Sequence, residues 1–274
     1  MSQNVTLTSG MRATLFSLQN TAKLLELTQK RLATGKRVNT ALDDPINFFA
    51  AKNHQQRADD LAFRKDLMGE AIQTITAADN GIDAITTLLA SAKATAQSAL
   101  STTDTNERGE LAIQFDAILD QIDTLAADSG YKGINFLNND TLTVVFNASS
   151  TSELGVSGFN GNAASLGVDD AASWDAGSGV GSTNIKTAID DINTATGALR
   201  TNAQNLSNSL STITARQDFT EKMINTLEDG VANLTNADLN EEGANMLMLQ
   251  TKQALGTTAL SLASQAAQNV LRLF

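Results

Sequence analysis

The sequence predicts a mainly α protein: a long antiparallel helical bundle or coiled coil, carrying a small β-hairpin and a short loop-rich insert. Three observations predict it. Apolar residues recur at alternating steps of three and four along most of the chain, the spacing of a helix packed on another helix. One proline occurs in 274 residues, and an interior proline costs a helix about 3 kcal/mol. Aromatics make up 4% of the chain, while small and aliphatic residues abound, a composition that suits close helix contact better than a bulky core around a pocket.

The first helix is expected over residues 5–35. Met11, Leu15, Leu18, Ala22, Leu25, Gln29 and Leu32 give its heptad seam. Leu7, Leu24 and Leu27 widen the apolar face, which suggests burial on more than one side. Gly35 supplies a left-handed cap, and Lys36 suits the negative end of the helix dipole. Asp44 then caps a new helix, with Pro45 at its first position, where the missing N–H costs nothing. That second helix spans about 45–101, through Leu61, Met68, Ile72, Ile75, Ile82, Ile85 and Leu89. Thr102–Thr105 reads as a turn, and a third helix follows over 106–128 through Leu111, Phe115, Ile118, Ile122 and Leu125. Long helices joined by so short a link should lie antiparallel.

The middle of the chain changes character. Thr141–Phe146 is a β-type run, and Ile134–Leu137 is a candidate hairpin partner. Around Gly155–Gly181 the Gly, Ser, Asn and Asp content resembles an exposed, loop-rich module that holds the lone Trp174. Helix resumes over about 183–230. After an acidic hinge at Asn236–Glu242, a last helix runs through Met246, Leu249, Gln253, Gly256, Leu260, Ala263, Ala267, Val270 and Phe274. The expected division is an N-terminal helix over 1–35, helices and hairpin over 36–145, and an insert over 146–182. A return helix over 183–232 and a C-terminal helix over 233–274 complete it. No tandem repeat of 20–50 residues is present.

Several functions fit poorly. A net charge of −11 argues against phosphate-neutralising contacts with nucleic acid and against adsorption to anionic membranes. Zero cysteines exclude disulfides and thiolate chemistry. His54 is the only histidine, so neither an HExxH zinc site nor a histidine-based triad can be assembled. Gly177–Gly181 lacks the Lys-Ser/Thr of a phosphate loop. The pairs Asp43-Asp44 and Glu241-Glu242 sit at helix starts, where dipole electrostatics explains them more simply than acid–base catalysis. No catalytic, cofactor or metal residue is assigned. The start of the chain shows no basic-then-apolar secretion signal, and no run of 18 apolar residues predicts membrane insertion. The terminal stripes are the strong signal, and periodicity alone does not decide whether they pair within one molecule or across several.

At this point both ends resemble the flagellin family. Arg31-Leu32-Ala33-Thr34-Gly35-Lys36-Arg37-Val38-Asn39-Thr40-Ala41-Leu42-Asp43-Asp44 is similar to its N-terminal signature. Leu234-Thr235-Asn236-Ala237-Asp238-Leu239 resembles the C-terminal counterpart, and 246–274 resembles the family's final helix. Asn106-Glu107-Arg108 and Gly130–Leu137 look like the turn and hairpin approach of the outer-tube domain. The resemblance covers about 1–145 and 183–274. Pro45-Ile46-Asn47 departs from it, replacing the family's small residues.

The resemblance implies a non-enzymatic subunit that polymerises, alone or with other flagellins, into the extracellular flagellar filament for swimming. The candidate self-assembly residues are Met11, Leu15, Leu18, Leu25, Leu32, Met246, Leu249, Leu260, Val270 and Phe274, and the signature residues are Arg31, Gly35, Asn39, Asp43, Asp44, Ala237 and Asp238. It further implies secretion unfolded through the flagellar type III export apparatus with an export chaperone, and contact with hook-associated and cap proteins. Ala90, Ala92 and Lys93 align with the helical patch read by the vertebrate Toll-like receptor, and there they replace two arginines and a glutamate. Poor recognition is the expectation. Alternatives are a hook–filament junction protein and a soluble coiled-coil adaptor or chaperone.

Overall fold

The computed structural model describes residues 9–273, with side chains described for all of these except 178 and 270–273. Five helices are described: α1 (Ser9–Thr34), α2 (Pro45–Ser101), α3 (Thr105–Asp128), α4 (Gly177–Thr235) and α5 (Leu239–Leu273). Between α3 and α4 lie two strands, β1 (Thr141–Val145) and β2 (Glu153–Ser157). The chain divides into two compact units, Met1–Gln56 with Thr226–Phe274, and Arg57–Asn225. We call them the terminal and the central unit; α2 and α4 contribute residues to both.

The central unit holds a continuous apolar core. On α2 the buried positions are Met68, Ala71, Ile75, Ala78, Ile82, Ile85, Leu89, Ala92, Ala96 and Ala99, a strict three–four alternation. Every second layer near its start is alanine, which brings neighbouring helices close. Ile185, Ala188, Ile192, Ala195 and Leu199 repeat the pattern on α4, and Phe115, Leu119, Ile122 and Ala126 face them from α3. The same packing explains why Gly81 does not interrupt α2: a Cβ there would run into the Ser129 hydroxyl and Leu137.

The hairpin differs from the sequence expectation. β1 pairs antiparallel with β2, Thr141 opposite Ser157 and Val145 opposite Glu153, and not with 134–137. Val144 and Val156 bury the inner face. The turn between the strands is organised by Asn147, whose Oδ1 accepts the Thr151 and Ser152 N–H groups. Ile134–Leu137 instead closes the end of α3. Asn135 donates from Nδ2 to the Ala126 and Ala127 carbonyls and accepts the Leu137 N–H, filling acceptors the helix leaves orphaned.

The insert is also not the exposed module its composition suggested. Trp174 is buried, its ring 4.8 Å from that of Phe115. Two carboxylates one heptad apart on α3 pin the segment down: Asp123 accepts the Ala163 N–H at 2.7 Å and Asp116 accepts the Ala171 N–H at 2.6 Å. Burial, with Asp170 and Asp120 nearby, raises the Asp116 carboxyl above its ordinary range despite that hydrogen bond.

Arg108 ties three helix ends together. It is buried with no carboxylate partner among the described residues; Nε donates to the Ala99 and Thr102 carbonyls, Nη1 to the Gly177 carbonyl and Nη2 to the Ser182 hydroxyl. The C-terminal carbonyls of α2 carry partial negative charge, so they compensate the guanidinium. The sequence reading took Arg108 only as part of a turn signature.

Candidate self-association surface

The terminal unit is built around α1 and α5, which run antiparallel. Arg31 Nη1 meets Glu242 Oε1 at 2.7 Å near one end, and Leu18 packs on Gly256 further along. This register sets Leu25 opposite Leu249 and Thr21 opposite Gln253. A Cβ on Gly256 would lie 2.7 Å from Leu18, so glycine is what lets the helices meet there.

On α5 the seam is as expected: Leu249 is buried, and Met246, Gln253, Gly256, Leu260, Ala263 and Ala267 are half-buried. On α1 one set of positions shifts. Met11 is buried and Leu18, Leu25 and Leu32 are half-buried, but the intervening layers are Thr14, Thr21 and Thr28, not Leu15, Ala22 and Gln29. Leu15 points outward. Threonine fits the seam because it satisfies its own hydroxyl: Thr21 donates to the Ser17 carbonyl at 2.9 Å and Thr14 to that of Gly10 at 3.0 Å. Of the other assembly candidates, the Val270 side chain and Phe274 lie outside the described residues, as do Leu7 and the start of the expected first helix.

The signature residues form the joint at one end of this pair. Gly35 adopts φ +66° and its carbonyl accepts the Ala237 N–H, while the Arg37 and Val38 N–H groups share the Thr235 carbonyl. Asp43 Oδ2 accepts the N–H groups of Asn39 and Thr40, and Asn39 Nδ2 donates to the Lys36 carbonyl. Asp44 caps α2 by accepting the Asn47 N–H at 3.1 Å. Backbone donors, chiefly Thr40 for Asp43 and Asn47 for Asp44, hold both carboxyls below their ordinary range. Asp238 caps α5 through the Asn240 N–H. Glu242, read from sequence as a dipole partner, is instead buried on Arg31, and its Oε2 and the Arg31 Nε find no hydrogen-bond partner among the described residues.

The outer faces of the pair stay apolar. Phe16 and Leu24 on α1, and Leu247, Met248, Leu255 and Leu262 on α5, all stand exposed. Met248, Leu255 and Leu262 are seven apart, so they make a second stripe beside the seam. The sequence reading noted extra apolar width only on the first helix, where Leu24 is exposed and Leu27 half-buried; the α5 stripe was not read from it. The units also differ in charge: nine basic and eight acidic residues in the terminal unit, ten basic and 22 acidic in the central one.

The receptor-aligned positions do not form one patch. Ala92 is fully buried in the central core, because it belongs to the α2 seam, whereas Ala90 is exposed and Lys93 bonds Asn193 at 2.6 Å.

The chain combines a paired-end helical unit with apolar outer stripes and a well-packed acidic unit, which defines a structural subunit that associates through helices. Comparison with known proteins makes this specific. Residues 6–141 match the bacterial flagellin N-terminal helical region and residues 182–274 the bacterial flagellin C-terminal helical region. Flagellin FljK of Caulobacter vibrioides is 31% identical over 97% of this chain and 96% of its own length. The flagellin of Brucella melitensis is 29% identical over 100% and 99%. A crystal structure of Bacillus cereus flagellin aligns with 56% of this chain and 88% of that one, with 14% identity and a TM-score of 0.48. The chain belongs to the flagellin family: it is a structural subunit of the extracellular bacterial flagellar filament and not an enzyme.

Proposed function

We propose that the subunits join through the outer stripes of the α1–α5 pair, which line the inner tube of the filament. The observation that supports this is the exposed run Met248, Leu255, Leu262 with Phe16 and Leu24, set on helices whose own seam is half threonine and small residues. Each large apolar side chain that is covered contributes about 1.5–3 kcal/mol, against about 1–2 kcal/mol per ordered backbone residue. One helix pair is therefore marginal alone, and neighbouring copies supply the missing burial. The terminal helices order as they assemble, which makes polymerisation cooperative. A contact that repeats head to tail without closing builds a helical filament in place of a ring.

Removing 250–274 tests this. Filament growth from seeds should be lost while the central unit keeps its fold; normal filaments from the truncated chain would reject the reading. Hydrogen exchange tests the coupling: α1 and α5 amides should exchange fast in monomers and slowly in filaments. We further infer delivery through the flagellar type III export apparatus with an export chaperone, and contact with hook-associated and cap proteins, a reading that family membership supports. A pull-down with the export chaperone of the same bacterium checks the first of these.

A further inference from the structure

The central unit carries many more acids than bases, yet one groove on it is basic. The groove has a volume of about 260 Å³ and lies between α2, α4 and the hairpin turn. Leu61, Phe146, Phe219 and Met223 give it an apolar floor, and Arg57 and Arg216 line the same groove. Among the described residues no carboxylate is part of this lining, and neither arginine has an ion pair. Phe219 is 55% exposed, so the floor is open to solvent, and the Arg216 guanidinium lies 5.3 Å over the Phe146 ring. The two arginines stand at opposite ends. Gln217 reaches both the Lys65 carbonyl and Gly69 on α2, which sets Arg216 about 12–18 Å along α2 from Arg57, at about 1.5 Å per residue.

The outer face of α3 is the complement of this groove. Glu110, Ile113, Ala117 and Asp120 follow one another at three- and four-residue steps and all are exposed, Ile113 at 71%. The stripe is apolar in the middle and acidic at both ends, and its two carboxylates are about 15 Å apart along the helix, the spacing of the arginines. No base on α3 offsets them, because its single arginine, Arg108, is buried. The stripe does not reach the groove of its own chain. Arg108 is bonded to Ala99 and Ser129 abuts Gly81, so α3 runs antiparallel to α2 and sets Asp120 near residue 89 of α2, about 48 Å along that helix from Arg57.

We propose that in the filament the α3 stripe of one copy docks in the α2–α4 groove of the next, with Ile113 on the Phe146 and Phe219 floor, Asp120 facing Arg57 and Glu110 facing Arg216. That order of charges is the one obtained when copies repeat along α2 without reversing. The proposal rests on self-polymerisation and adds a contact between central units, separate from the α1–α5 stripes. Stripe and groove are different surfaces of one unit, so each contact leaves one of each open for a further copy, as a filament requires. Opposite charges at the rim fix register, and the covered apolar centre supplies the attraction.

Charge exchange tests this. Arg57→Glu and Asp120→Lys, each alone, set like charges together and should raise the critical concentration for seeded growth about tenfold or more. The double variant should return to within about threefold of wild type, and all three monomers should melt as wild type does. The two positions are far apart in one chain, so rescue arises between copies. Single variants without effect, or a double variant no better than the worse single, would overturn the docking. A cross-link reads the same contact without relying on charge. The chain has no cysteine, so Gln114→Cys, exposed beside the stripe, takes a benzophenone maleimide at one position. The labelled chain is diluted into nitrogen-15 wild type, grown on seeds, irradiated and digested. Mass spectrometry should join position 114 of the light chain to residues 57–61, 146–152 or 216–223 of the heavy chain. Links only to other regions, links within one chain only, or no links in well-formed filaments would refute the contact. Failure of unlabelled wild type to elongate seeds would overturn polymerisation itself, a separate result.

Discussion

The central and terminal units use the same heptad spacing to opposite ends. In the central unit, α2, α3 and α4 turn their stripes inward on one another, and Phe115, Phe136 and Trp174 seal the core. In the terminal unit one seam closes and the flanking stripes do not: among the described residues, 11 of the 16 exposed large apolar side chains belong to it. Periodicity thus records that a helix face wants cover; the number of helices within reach decides whether the molecule covers it alone.

Substitutions sharpen this contrast. Trp174→Ala should destabilise the central unit by about 3–5 kcal/mol, as expected for a buried ring against Phe115. Chemical denaturation followed by circular dichroism measures it. Arg108→Met should cost about 3 kcal/mol, since four acceptors lose their donor together, and calorimetry reads that loss. Both changes act on the central unit. Gly256→Leu, by contrast, forces Leu18 aside and should cost the α1–α5 pair about 1–3 kcal/mol. Filament growth should fall while the Trp174 fluorescence melt holds. A matching drop in that melt would break the distinction between units.

Acid should separate the units more weakly. Asp43 and Asp44 titrate below their ordinary 3.8 in the folded chain, so their contribution is present above that value and lost as pH falls through the lowered one. Asp116 titrates above 3.8, so its ionised form costs stability at neutral pH, and that cost disappears as pH falls through the raised value. On acidification, the Asp116 penalty fades first and the joint loosens later. Asp116→Asn, which keeps an acceptor for the Ala171 N–H, should flatten the first effect and leave the second. Carboxylate titrations by NMR resolve both.

Much of this was legible beforehand. Asp44 and Pro45 marked the start of α2, which ends at Ser101 where the Thr-rich turn begins. The α5 seam was readable at every described position. On α1 the reading slipped to Leu15, Ala22 and Gln29, because hydropathy scores leucine as the inner residue while a threonine bonded to its own helix packs as well. β2 was missed since Glu153–Ser157 has one strongly β-prone residue and an internal glycine; its pairing comes from β1. The burial of Trp174 depends on Asp116 and Asp123, which are far away in sequence. The Arg31–Glu242 pair spans 211 residues, and no local pattern announces it.

Arg108 carries a last consequence. Its partners are three main-chain carbonyls and one hydroxyl. Main-chain acceptors stay in place when the side chains that carry them change. The clasp holding the ends of α2, α3 and α4 can therefore outlast sequence drift at Ala99 and Thr102, whereas the arginine itself has no substitute that reaches all four acceptors.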